Sequence, residues 1–365
     1  MPTKRLPARP DLEHLKNQAK DLRADHGAGR LDAFQRIREF HPRSSAASDV
    51  QIRSAAFTLS DAYLTIAREY GFQSWARLRS QVQDGDRSTL DLPHHERIED
   101  AAFRRAVDLV DDGDLEGLRE HLVSQPGLVH QHVLFEGGNY FREPTLLEFV
   151  AENPVRRESL PPNIVEIARL ILDAGAKSDQ RAINSTLGLV CSGSVPRECG
   201  VQVPLTDLLC DYGADPNSAM MSALGHGEFE AVDALIRRGA NVDLAAAAGT
   251  GRVEDARQAL ASADNEHRHR ALALAAQHGH VEIVRLLLDA GEDPNRYNPI
   301  GCHAHSTPLH QAALAGHAEV VRVLVERGAR VDIQDIHHKG TPLGWAEYAG
   351  QKQIAAYLRA HGASS

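Results

Sequence analysis

The stretch that decides the fold runs from Ser306 to Ala329 and reads STPLHQAALAGHAEVVRVLVERGA. Thr307 and Pro308 predict the start of a helix, because proline is tolerated where an amide has no helical partner. Gly316 predicts a turn, and Gly328 predicts a left-handed helix end. Two short antiparallel helices are therefore expected, and such a unit cannot bury its apolar face without further copies. The apolar stripe of the second helix comprises Val320, Val321, Leu324 and Val325.

The same pattern recurs along the chain. Gly316 and Gly328 lie twelve residues apart, and Thr341-Pro342-Leu343 restarts the pattern after them. About eight units can be counted between residues 99 and 363, and stacked units of this kind bury one another's apolar faces. The repeat predicts an all-α solenoid of helix-turn-helix units. The twelve-residue interval also separates Gly227 from Gly239, Gly279 from Gly291, and Gly350 from Gly362.

Thr307-Pro308-Leu309-His310, with a period of about 33 residues, resembles the signature of the ankyrin repeat family. The segments 12–22 and 67–78 are similar to an N-terminal segment that precedes ankyrin repeats in many bacterial proteins. This resemblance implies an ankyrin-repeat solenoid with a helical N-terminal domain. We expect a helical domain at 1–83 that caps the first repeat, a linker at 84–98 and the ankyrin array at 99–365.

Charge and composition narrow the classes of partner. The net charge is −10, yet residues 1–83 carry 14 Lys and Arg against 9 Asp and Glu. These basic residues are scattered and accompany no nucleic-acid motif, so a protein partner is expected rather than nucleic acid. No apolar run resembles a signal peptide or a membrane span, which predicts a cytoplasmic protein. The four cysteines lack disulfide or zinc spacing, and no cofactor is predicted.

No catalytic motif stands out, whether a phosphate-binding glycine loop, an activated nucleophile or H-E-x-x-H. The prediction is a non-enzymatic scaffold that binds a protein through a concave groove and the connections between repeats, called fingers. The alternative is an enzyme or small-ligand binder that uses a groove pocket lined by finger histidines, with or without a metal. Catalytic residues are not assigned.

Histidine is the one residue in excess, with 20 copies. His303 and His305 lie in one predicted finger, and His337 and His338 lie in the next, with Asp335 beside them. Two histidines two residues apart on a hairpin place both rings on one face, a spacing that suits a metal. The four could alternatively be solvated loop histidines, or act as general acid and base. They are candidate ligands for a metal, although no metal is predicted.

The resemblance also implies which side chains face the groove, since the residue after T-P-L-H does so in the family. Trp345 at this position could anchor a partner or pack on its own repeat. The connection from Gly291 to Thr307 is three residues longer than that from Gly328 to Thr341, and its additions are not needed for stacking. The predicted partner- or ligand-binding residues are Trp345, Gln311, Leu274, His303, His305, His337, His338, Tyr297 and Tyr140.

Tyr140 belongs to a separate predicted finger. Residues 129–144 contain two apolar runs around a Gly-Gly-Asn turn, which predicts a hairpin. Convergence of finger histidines with Glu136, Asp335 or Tyr140 in one pocket would favour the small-ligand alternative over the scaffold.

Overall fold

A computed structural model describes residues 4, 6, 11–45, 47–72, 74, 75, 77–79, 82, 94–135 and 140–363. Across these residues the regular secondary structure is entirely helical, which confirms the predicted all-α class. The chain divides into two compact units, Met1–Arg97 and Ile98–Ser365. The finer limits at 83 and 98 stay predictions, because residues 83–93 lie outside the described part.

The N-terminal unit is a small helical domain with its own core. Leu15 and Leu22 on its first helix and Ile66 on its fourth are buried together. Buried Glu69 pairs with Arg36 at 2.7 Å, so a charge inside the unit is compensated. Its helices are α1 (Leu12–Gly27), α2 (Leu31–Phe40), α3 (Asp49–Ser54) and α4 (Leu59–Glu69), followed by a 3-10 turn at His94–Arg97.

The second unit is a stack of helical pairs. The described residues contain eight such pairs, in agreement with the count made from the sequence. In the second pair a 3-10 helix, Leu146–Ala151, takes the place of the first helix. The α-helices are α5 (Ala101–Asp112), α6 (Leu115–Ser124), α7 (Ile164–Asp173), α8 (Gln180–Ser192), α9 (Ser194–Glu198), α10 (Gln202–Asp211), α11 (Asn217–His226), α12 (Phe229–Arg237), α13 (Leu244–Thr250), α14 (Val253–Leu260), α15 (Asn265–His278), α16 (Val281–Asp289), α17 (Pro308–Ala315), α18 (Ala318–Glu326), α19 (Pro342–Tyr348) and α20 (Lys352–Ala360). Shorter 3-10 helices occupy Pro126–His130 and Ala176–Ser178.

The repeating glycines hold the turn within each pair. Gly279 has a φ of +81°, a conformation that other residues rarely adopt. A Cβ placed there would lie only 2.6 Å from the ring of His317, which belongs to the next repeat. That ring is hydrogen-bonded to the carbonyl oxygen of Gln277 in the preceding repeat at 3.0 Å. The turn glycine therefore leaves room for a hydrogen bond that ties one repeat to the next.

The predicted hairpin finger is present in its described arms. The amide of Val133 donates to the carbonyl of Pro144 at 3.1 Å, and that of Phe135 donates to Arg142 at 2.8 Å. The ring of Phe141 packs edge-on against Phe149 at 5.2 Å, which fixes the finger on the core. The turn at 136–139, including Glu136, lies outside the described residues.

Candidate functional site: the finger surface

Finger A, residues 292–307, is a folded loop anchored in the core. The amide of Asn298 donates to the carbonyl of Ser306 at 2.8 Å and closes the loop. Cys302 is fully buried against the inner helices, and burial raises the pKa of its thiol to about 11. The thiol therefore stays protonated and acts as a small apolar anchor. Left-handed backbone at Gly301 and His303 turns the tip of the loop outward.

Finger B, residues 330–341, folds around one carboxylate. Buried Asp335 accepts hydrogen bonds from the amides of His338 at 2.7 Å and Gly340 at 2.8 Å. The amide of His337 and the indole N–H of Trp345 also donate to it, at 2.9 and 3.1 Å. Burial alone would raise the pKa of Asp335, but these donors outweigh burial and hold the pKa at about 2. Asp335 is thus a structural centre rather than a free acid or base.

The two fingers are joined directly. The amide of Ile336 in finger B donates to the carbonyl of His305 in finger A at 2.8 Å. The hydroxyl of Tyr297 donates to the carbonyl of Gln334 at 2.7 Å. Bonds of this kind fix the loops in place before any partner arrives, which lowers the entropic cost of binding.

The four candidate histidines form a row along the fingers. The centroids of the His305 and His337 rings lie 4.8 Å apart, so the predicted approach of the two fingers does occur. The ring centroids of His303 and His305 lie 6.2 Å apart, and those of His337 and His338 lie 6.4 Å apart. The rings follow one another instead of surrounding a common point. Over the described ranges, no group of three or more His, Cys, Asp or Glu is arranged to hold a metal, so the geometry does not support the candidate metal ligands.

Desolvation favours the neutral form of two of these rings. It lowers the pKa of His303, although a bond to the Gly225 carbonyl favours the protonated form. It also lowers the pKa of His305, with a further contribution from the neighbouring His337. Neutral imidazoles present aromatic faces and single hydrogen-bond donors, which suits contact with a protein surface.

Two predicted groove residues are corrected by the structure. Leu274 is fully buried, because α15 is enclosed by the neighbouring inner helices and by the Cys302 anchor. Gln311 is 5% exposed, and its amide donates to the Ser306 hydroxyl at 2.8 Å. Both side chains support finger A from below, so neither offers a surface to a partner.

The remaining predicted residues divide by exposure. Trp345 is half-buried: its ring lies 5.1 Å from that of His310 in the preceding repeat and 5.7 Å from that of His305, and its indole N–H donates to Asp335, so it packs between two repeats beside the fingers. Tyr140 is exposed in the separate hairpin finger, where its hydroxyl donates to Asn153. The predicted residues exposed on the two joined fingers are Tyr297, His303, His337 and His338, with His305 half-buried among them.

Two functional candidates escaped the sequence analysis. Ile300 is 89% exposed on finger A, and Ile336 is 48% exposed on finger B. Ile300 stands between Pro299 and Gly301, and a large apolar residue in such a turn was the available signal. We use the name finger surface for Tyr297, Ile300, His303, His305, Ile336, His337 and His338.

Some buried polar groups at the base of finger A lack a hydrogen-bond partner within the described residues. Asn298 is 3% exposed, and neither atom of its side-chain amide has a partner among the described residues. The Nε of Arg270 on α15 is likewise buried without an acceptor in that part of the chain. Arg270 lies close enough to Cys302 to favour its thiolate electrostatically. Buried donors without acceptors cost free energy, so this base can still gain from an added acceptor.

Comparison with known proteins identifies the type of repeat in the array. The family described as ankyrin repeats (3 copies) matches residues 202–298 and 272–365. No helix within the described residues is long and apolar enough to cross a membrane.

Three relatives illustrate the similarity. Cyclin-dependent kinase inhibitor 2A of Homo sapiens is 35% identical over 122 residues, which cover 32% of this chain and 75% of the relative. Cyclin-dependent kinase 4 inhibitor B of Bos taurus is 33% identical over 126 residues, covering 33% and 93%. Ankyrin repeat and SAM domain-containing protein 6 of Mus musculus is 34% identical over 100 residues, covering 27% and 11%.

Proposed function

This chain belongs to the ankyrin-repeat family, and on that premise we propose that it is a non-enzymatic scaffold whose finger surface binds a protein partner. The observation that carries the proposal is the exposure of Ile300 and Ile336 on two fingers that are hydrogen-bonded together. Large apolar side chains displayed on a rigid, polar-rimmed surface are typical of protein interaction sites. Neither side chain takes part in stacking the repeats.

The chemistry of the finger surface favours a partner with an apolar centre and acidic or carbonyl groups around it. Neutral histidine rings and Tyr297 flank the two isoleucines and supply aromatic contact. The repeats supply the scaffold, and the finger side chains decide which partner fits.

An enzyme that uses these histidines gains no support from the same geometry. The rings lie in a row, and Asp335, the nearest carboxylate, is fully engaged by four donors. A general base needs free hydrogen-bond reach toward a substrate proton. The scaffold is therefore the function that the site supports.

The N-terminal unit is proposed to be a separate domain, with 1–83 helical, 84–98 a linker and 99–365 the array. The proposal is supported by a core that the N-terminal unit builds from its own helices, among them Leu15, Leu22 and Ile66. The contact pattern, which ends the first unit at Arg97, also agrees with it.

The test compares finger variants with an outer-helix control. Proteins crosslinked to the full chain are identified by mass spectrometry, and each identified protein is titrated by calorimetry. Ile300→Ser with Ile336→Ser and His303→Ala should weaken binding at least tenfold, about 1.4 kcal/mol. These exposed changes should leave the melting temperature nearly unchanged.

The matched control is Arg322→Ala with Glu326→Ala, two exposed residues on α18. Unchanged affinity is expected for this pair. If the control pair loses binding and the finger variant keeps it, the partner uses a different face of the array.

A further inference from the structure

A cavity of about 170 Å³ lies beside the hairpin finger, formed by residues other than those of the finger surface. One wall comes from the second arm of the hairpin, with Arg142, Glu143 and Pro144. The opposite wall comes from the first turns of α8, with Arg181 and Ser185. His132 and Tyr140 of the hairpin and Glu148 of the 3-10 helix also line the cavity.

The walls of this cavity are held rigidly. Buried Glu148 accepts the Ser185 hydroxyl at 2.6 Å through one oxygen and the Thr145 amide at 2.7 Å through the other. The ring of His132 is bonded to the carbonyl of Glu143 at 2.9 Å. These hydrogen bonds connect the hairpin, the 3-10 helix and α8, and they fix the walls relative to one another.

Two positive charges in the lining have no protein partner. Arg142 and Arg181 are both exposed, and neither guanidinium group makes an ion pair or hydrogen bond in the part of the chain that the structure describes. Glu148, the nearest buried acid, is already occupied by the Thr145 and Ser185 donors. The lining also holds the carboxylates of Glu143 and Glu148, so its formal charges balance; what an added anion would supply is an acceptor for the two guanidinium groups.

We propose that this cavity binds a carboxylate group through Arg142 and Arg181. A planar carboxylate matches the fork of a guanidinium and accepts two parallel N–H bonds from it. A dianionic phosphate would be repelled more strongly by Glu143 and Glu148. At about 170 Å³ the cavity has room for a carboxylate and a short carbon stem.

The carboxylate has two sources with the same chemistry, a free small dicarboxylate or the acidic side chain of a peptide. Calorimetry on the full chain at low salt distinguishes them with two probes, glutarate and the blocked tripeptide acetyl-Ala-Glu-Ala-amide. Saturable one-to-one binding of at least one probe is expected. Tighter binding of the peptide assigns the cavity to a protein ligand, and tighter binding of glutarate assigns it to a free dicarboxylate.

The decisive variant is Arg142→Gln with Arg181→Gln, which should weaken the bound probe at least tenfold while the melting temperature stays unchanged. Arg237→Gln removes another exposed arginine, on α12, and should bind like the unaltered chain. Absence of saturable binding for both probes, or full binding by the double variant, would overturn the proposal. Inorganic phosphate binding as tightly as the better probe would overturn the carboxylate assignment. None of these outcomes bears on the finger surface, so the two proposals fail separately.

Discussion

The regular repeats after residue 217 and the irregular repeats before it are held together by different forces. In the regular repeats, histidines that follow a turn glycine reach back to the preceding repeat: His280 is hydrogen-bonded to the Gly249 carbonyl at 3.1 Å and His317 to the Gln277 carbonyl at 3.0 Å. In the irregular repeats, the insertion at 152–163 is fastened by buried ions, with Arg156 lying 2.8 Å from Asp111 and 2.9 Å from Glu152. The same neutral hydrogen bond can recur wherever the sequence pattern recurs. An insertion that occurs once is instead held by its own network of ion pairs.

The difference matters because the two kinds of contact respond differently to loss. A neutral hydrogen bond contributes about 1 kcal/mol net, since water replaces it in the unfolded chain. A buried ion left without its partner costs more, because its desolvation is no longer compensated. The following predictions test this contrast, in order of decreasing effect.

Removing Arg156 should have the largest effect. Its side chain is 1% exposed, and Arg156→Ala would leave the carboxylates of Asp111 and Glu152 buried with less compensation. We expect a loss of about 3–5 kcal/mol in the free energy of unfolding, measured with urea. Arg157→Ala is the matched control, because this side chain is 41% exposed and should cost below about 1 kcal/mol. Equal losses for the two variants would contradict a special role for buried charge.

Removing the carboxylate of Asp335 should come next. Asp335→Ala leaves three backbone amides and the Trp345 indole without their common acceptor. We expect a loss of about 2 kcal/mol, together with faster hydrogen exchange at the His337 and His338 amides. Asp332→Ala in the same finger is exposed and should change neither quantity. Unchanged exchange in the Asp335 variant would show that finger B is fixed by other contacts.

Breaking one bond between regular repeats should have a smaller effect. His317→Ala removes the ring that bonds the Gln277 carbonyl, and we expect a loss of about 1 kcal/mol by urea unfolding. The control is His361→Ala, an exposed histidine near the end of the array, which should be close to neutral. A loss as large as that of Arg156→Ala would remove the contrast between the two regions.

The smallest effect concerns pH. Desolvation lowers the pKa of His278, His280 and His310 in the folded array. Folding therefore favours their neutral form, and this contribution is present above the unfolded pKa of about 6.5 and is lost as pH falls below it. The melting temperature should decrease between pH 7.5 and 5.5. His280→Gln, which keeps a donor but does not titrate, should flatten that decrease; an unaltered slope would exclude His280 as a contributor.

Local sequence preferences are enough to predict the backbone of the array. Gly279, Gly316 and Gly328 sit at positions with left-handed backbone, and Pro308 opens a helix, because these preferences act over a few residues and need no distant partner. Apolar spacing of 3.6 residues likewise gave the buried faces of the helices. The approach of fingers A and B was also predictable, since adjacent repeats carry adjacent loops.

The roles of the side chains depend on contacts between residues that are distant in sequence. Leu274 and Gln311 occupy the motif position that predicts a groove residue. Finger A covers Leu274, and its Ser306 hydroxyl accepts a hydrogen bond from Gln311. The direction of a loop side chain depends on neighbours distant in sequence, so the histidines could form a row as readily as a metal site. The hairpin cavity could not be predicted from the sequence for the same reason. Arg142 and Arg181 are 39 residues apart, and the packing of α8 against the hairpin finger places both in the lining of one cavity.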